Sequence, residues 1–91
     1  MPSINISRKH GKSLSDARTA IDKVAKSIAK KFAVEHGWDG NTLNFERPGV
    51  SGHIAISKGL VKVNVEISFL LLAIKGSIES EIEKYIDREL G

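Results

Sequence analysis

The side chains best suited to ligate a metal or move a proton near neutral pH are His10, His36 and His53, and they are scattered along the chain. Metal ligands drawn from one helix or turn recur at short, regular spacings. These three histidines fall on three different predicted elements, so no metal site is expected. The chain has no cysteine, which removes thiolate nucleophiles, disulfides and Cys-based zinc sites together. Serine and aspartate are plentiful, but no phosphate-binding glycine loop or nucleophile elbow accompanies them. The spacing favours a non-enzymatic role, with no catalytic residue and no cofactor.

Three surfaces remain that could make contacts rather than break bonds. Leu70, Leu71 and Leu72 stand in succession after Phe69, within the only continuous apolar segment. No single strand or helical turn points three consecutive leucines into a core, so at least one is exposed or covered by a partner. The bland expectation is a strand-to-helix corner packed under the helices. The sharper one is an apolar contact formed by Phe69, Leu70, Leu71 and Leu72. Lys23, Lys26 and Lys30 share a helix face opposite its apolar stripe, with Asp22 spaced to pair with Lys26. Such a lysine face is ordinarily solvated surface. Arg8 and His10 carry the inward parity of the first strand past its apolar part. They belong at the rim of the core, where the bland expectation is hydrogen bonding to a layer edge or to carboxylates of the last helix and the sharper one is a ligand site.

The elements that position these residues follow from periodicity. Between Gly59 and Gly76, Val61, Val63, Val65, Ile67 and Phe69 share one parity, and Lys62, Asn64, Glu66 and Ser68 the other. That is a strand buried on one face, with Phe69 expected to end its inward row. Ser3 to Arg8 is a short strand with Ile4 and Ile6 inward. From Leu14 the period changes, and Leu14, Ala17, Ile21, Val24, Ala25, Ile28 and Phe32 form one helical stripe. Ser13 is its N-cap, with Asp16 in the place of a capping-box acid, and Gly37 is the expected left-handed terminator. Trp38 to Thr42 reads as a turn, with Gly40 supplying a positive dihedral and Trp38 clamping the helix end onto the sheet. Leu43 and Phe45 begin the next strand. Pro48-Gly49 makes a hairpin turn, and Val50, Gly52, Ile54 and Ile56 are the inward set of the strand that follows. Ile74, Ile78, Ile82, Tyr85 and Ile86 mark a last helix that begins between Leu71 and Ser77.

The predicted order is β-α-β-β-β-α, an α+β two-layer sandwich: an antiparallel sheet of about four strands with both helices on one face. The partner of the first strand stays open. At 91 residues the chain is one domain, 1–91, with room to bury roughly 60% of its unfolded surface. Its hydrophobic fraction of 41% and charged fraction of 27% are those of a folded globular protein. The first residues lack the apolar run of a secretory signal, and residues 69–74 fall far short of the roughly 20 needed to cross a bilayer. A cytoplasmic location is expected. The net charge of +3 is unevenly spread, with lysines and arginines crowding the first third and carboxylates the last helix. The two helices could attract each other or a second copy, so a homodimer is a further expectation.

Three groups of residues resemble a known family. Ile4-x-Ile6-x-Arg8-x-His10 with Leu14 and Ala17-Arg18, Phe45-Glu46-Arg47 through Gly49-Val50-x-Gly52, and Phe69-Leu70-Leu71 through Lys75-Gly76-x-Ile78 with Glu81-Ile82 resemble the small bacterial polyhydroxyalkanoic acid system proteins. Those proteins are grouped by genes lying near those that make and use polyhydroxyalkanoate storage polyester. The resemblance implies association with intracellular polyester granules, or regulation of that system. It carries over no catalytic residue, and it adds Arg47 and Lys75 to Arg8 and His10 as a polar rim.

The leading expectation is a non-enzymatic accessory protein that binds the polyhydroxyalkanoate granule or its coat proteins through the leucine corner. The alternative is a nucleic-acid-binding regulator using Lys23, Lys26 and Lys30. An aromatic content of 5% leaves few side chains for base stacking, which places nucleic acid second.

Overall fold

The computed structural model describes residues 3–90. The elements run β1 (Ser3–Lys9), α1 (Leu14–Phe32), β2 (Glu35–Asp39), β3 (Thr42–Arg47), β4 (Val50–Ser57), β5 (Leu60–Ile67), a 3₁₀ segment (Phe69–Ile74) and α2 (Lys75–Leu90). All strand pairings are antiparallel, and the sheet order is β1-β5-β4-β3-β2. The chain thus builds a meander from β2 to β5 and returns its first strand beside its last. β1 finds its place there because Ile4 and Ile6 stand opposite Val65 and Val63, extending one apolar face across both strands.

That face is the core. Val61, Val63, Val65 and Ile67 are buried, as are Val50, Ile54 and Ile56 of β4 and Leu43 and Phe45 of β3. α1 covers the side of β2, β3 and β4, while α2 contacts β1. The stripes that meet the sheet are Ala17, Ile21, Val24, Ala25 and Ile28 on α1, and Ile78, Ile82 and Ile86 on α2. Among the described residues no polar or charged side chain is buried, so the interior is held by apolar burial. α1 starts where its capping chemistry places it: Ser13 Oγ accepts from the Asp16 amide at 3.1 Å, and Asp16 sits in the first turn near the positive end of the helix dipole.

The sheet has five strands rather than four, because α1 stops earlier than expected. Ala33, not Gly37, takes the left-handed C-cap conformation, with φ 55° and ψ 44°. Val34 then drops into the core, and His36, Gly37 and Trp38 pair with Phe45, Asn44 and Leu43. Burial of Val34 and a new edge strand outweigh the preference of glycine for the left-handed region. The turn expected over Trp38 to Thr42 shrinks to Gly40 and Asn41, with Gly40 at φ 60°. Leu14 heads the helix but lies beyond the cover of the sheet and is 37% exposed, so it leaves the predicted stripe.

Two consequences can be measured. Ala33→Gly relieves a left-handed residue that carries a Cβ, and is expected to raise stability by about 0.5–1 kcal/mol in urea unfolding. Gly52 is opposite Phe45, whose ring lies where a Cβ would be: an added methyl would meet Phe45 Cζ at 2.6 Å and the Asn64 carbonyl oxygen at 3.1 Å. Gly52→Ala is expected to cost about 1–3 kcal/mol, and Phe45→Leu in the same chain to recover part of that loss, which a double-mutant cycle reads directly.

Candidate functional site

Inward parity ends at Ile67, not Phe69. Ser68 leaves the strand, its amide donating to the Gly49 carbonyl at 2.9 Å, and the chain tightens into the 3₁₀ segment. Phe69 therefore points outward and is 74% exposed, Leu70 is 93% exposed and Leu72 47%. Leu71 alone of the four turns in, to the core's edge over the Pro48-Gly49 turn. Gly49 must be glycine twice over: its φ is 85°, and a Cβ there would stand 2.6 Å from Leu71 Cδ1. The corner is thus not packed beneath the helices. It is a short turn clamped at its base by Ser68 and Leu71, with three large apolar side chains facing water.

The polar residues separate into two ends of the sheet. Arg8 stands opposite Val61, and Arg47 opposite Val50, itself opposite Ile67; the two arginines are thus about 20 Å apart along the strands. Arg8 reaches α2, with its Nε 3.1 Å from Asp87 and an Nη 3.5 Å from Glu83. His10 fastens the loop before α1 to the β4–β5 turn: its Nε2 lies 3.0 Å from the Ser57 carbonyl, and its Nδ1 accepts from the Lys12 amide. At the opposite end, Arg47 donates to the Phe32 carbonyl at 2.9 Å and so caps the C-terminus of α1. Lys75 pairs with Glu79 on its own helix at 3.5 Å. Arg8, His10 and Arg47 each tie two elements together, Lys75 pairs within its own helix, and the four side chains do not meet in one site.

Lys23, Lys26 and Lys30 are exposed on α1, and Lys26 is engaged by Asp22 at 3.1 Å. Lys31 bridges the helices to Glu81 at 3.1 Å, so part of the charge difference between α1 and α2 is spent within the molecule. Lys31, and after it the Tyr85 hydroxyl, hold Glu81 below the usual carboxylate range, and Glu81 in turn pushes Tyr85 up. His36 is exposed on the edge strand, and His53 lies on the open sheet face 3.4 Å from Asn64. Among the described residues no group of three His, Asp or Glu side chains is arranged to hold a metal.

Two features were hidden from sequence reasoning because they depend on register. Glu66, Ser51, Glu46 and Glu35 form one cross-strand row on the open face, and they border a cleft of about 660 Å³ that reaches Ser68 beside the apolar corner. The second is the setting of Trp38, which joins β2 to the body of α1 rather than to its end. Its Nε1 donates to Asp22 at 3.1 Å, and the Arg18 guanidinium lies 4.8 Å from the ring centre. An arginine four residues before an aspartate is all the sequence shows of this node, and only the fold brings the indole to it.

Fold and surface together define a small α+β two-layer protein whose exposed apolar residues are concentrated at one sheet corner. Residues 4–90 match the sequence family described as "Putative polyhydroxyalkanoic acid system protein", and the chain belongs to that family. Compared with curated proteins, the chain has no match. No helix of the described residues is long and apolar enough to cross a membrane.

The Asp22 node carries a pH dependence. The Trp38 indole N–H, and next Lys26, lower the Asp22 carboxyl below its ordinary value of 3.8. A carboxylate depressed in the folded state stabilises above its unfolded pKa, and that contribution is lost as pH falls through the folded value. Wild type is therefore expected to lose more stability than Asp22→Asn between pH 5 and the strongly acid range, as read by urea unfolding at each pH.

Proposed function

We propose that this chain is a non-enzymatic accessory protein of the polyhydroxyalkanoate system, working in the cytoplasm at storage granules and attaching to the polyester surface or its coat proteins. The observation that carries the reading is the outward display of Phe69, Leu70 and Leu72 on one clamped 3₁₀ turn. Apolar side chains exposed singly need no explanation, but adjacent ones on a rigid turn form a contact surface. Burying Phe69 and Leu70 on an apolar phase would contribute about 1.5–3 kcal/mol each before the cost of association. Because Ser68 and Leu71 already hold the turn, little further ordering opposes it. The result is weak, reversible attachment, which membership in the polyhydroxyalkanoic acid system family supports by context.

Co-sedimentation with polyhydroxyalkanoate particles tests this. Binding is expected to survive high salt and an excess of duplex DNA, and Leu70→Asp is expected to weaken it about tenfold or more while leaving the fold intact, since Leu70 is 93% exposed. Salt-sensitive binding that DNA competes away would instead point to the lysines of α1, and unchanged retention of a folded Phe69→Asp, Leu70→Asp double variant would remove the corner from the mechanism.

A further inference from the structure

We infer that the cleft between the first half of α1 and the β2–β3 hairpin binds a small monocarboxylate with a short apolar tail, Arg18 receiving the carboxylate and Leu14 and the Trp38 indole receiving the tail. The cleft measures about 580 Å³, within the range of small-molecule sites, and Ser15, Thr19 and Asn41 complete its wall. This reading is independent of how the corner is used.

The charge arrangement carries the argument. Arg8, Arg47 and Arg88 each spend their guanidinium on a carboxylate or a carbonyl. Among the described residues Arg18 spends its own on neither, although it is not left to wander: the Trp38 ring holds it at 4.8 Å. Trp38 is fixed in turn by its N–H to Asp22 Oδ1 at 3.1 Å, and the second Asp22 oxygen is taken by Lys26 at 3.1 Å. The one carboxylate in the cleft is thus satisfied on both oxygens and does not compete for Arg18. The outcome is a planar fork of N–H donors, positioned in advance and unspent, which matches the two oxygens of a carboxylate.

A single available cation favours a monoanion over a dianionic phosphate. Leu14 supplies the reason for an apolar tail. Among the described residues it is the one exposed large apolar side chain outside the corner, and it lines this cleft beside the indole. Thr19 spends its hydroxyl hydrogen on the Ser15 carbonyl at 3.2 Å, which leaves the Asn41 side-chain amide as the further N–H donor in the lining.

Trp38 is the sole tryptophan, so its fluorescence reports on this cleft without interference. The full chain is titrated with hexanoate, and separately with hexanol and with inorganic phosphate. Hexanoate is expected to give a saturable change, with hexanol and phosphate at least tenfold weaker. Arg18→Gln is expected to raise the apparent Kd for hexanoate at least tenfold with an unchanged circular dichroism spectrum, and Arg18→Lys, which keeps charge but loses the fork, to fall between. Leu14→Asp, at an exposed helix-start position that does not support the core, is expected to weaken hexanoate at least tenfold even should Arg18→Gln fail to fold. No saturable response to hexanoate, equal binding of phosphate, or undiminished binding by folded Arg18→Gln or Leu14→Asp would each overturn the assignment, and would leave the Arg18–Trp38 stack as a staple between helix and hairpin.

Discussion

The structure depends on one row of branched side chains, Val61, Val63, Val65 and Ile67, all buried on the same face of β5. β5 is flanked by β1 and β4, so its row extends on one side to Ile4 and Ile6 and on the other to Ile54 and Ile56. A sheet with one greasy face must be covered, and α1 and α2 together supply the cover. With an interior so completely apolar, stability comes from burial and fit rather than from polar networks, which is why a methyl group at Gly52 matters and most surface ion pairs matter little.

The same row explains the corner. While the chain remains in β5, every second residue has a place in the core, and that arrangement stops where the Pro48-Gly49 turn ends the partner strand. Ser68 bonds to Gly49 instead of continuing the ladder, and the residues that follow have no sheet beneath them. Leu71 can reach back to the core edge from a 3₁₀ turn, whereas Phe69, Leu70 and Leu72 cannot. Exposure of these side chains is therefore the geometric consequence of where the sheet ends.

Charge is handled locally. Arg8 meets Asp87 and Glu83, Lys31 meets Glu81, and Lys26 meets Asp22, so the contrast between a basic first helix and an acidic last one is partly cancelled inside a single molecule. Arg47 serves the carbonyl end of α1 and thereby ties β3 to the helix that ends at Ala33. Arg18 departs from this pattern, stacked on an indole while the nearby carboxylate is engaged elsewhere.

The inward rows of β3, β4 and β5, the helical stripe from Ala17 to Ile28, the Ser13 cap and the Pro48-Gly49 turn were all legible from residue types and spacing, because alternation and 3.6-residue periodicity are local consequences of backbone geometry. Arg8 and His10 continue the parity of β1, and the fold brings Arg8 to Asp87 and His10 to the Ser57 carbonyl. Whether the leucines were inside or outside could not be read, since that depends on how far the neighbouring strand extends. Nor could the end of α1, where Gly37 looked the better terminator locally but burying Val34 and pairing His36, Gly37 and Trp38 with β3 required the turn at Ala33. The pairing of β1 with β5, the acidic row across four strands and the meeting of Arg18 with Trp38 join residues far apart in the chain. The sequence by itself determined which faces were apolar and where most turns fell; tertiary structure decided which of those faces were covered, because covering a face is a contest among distant segments that no local pattern records.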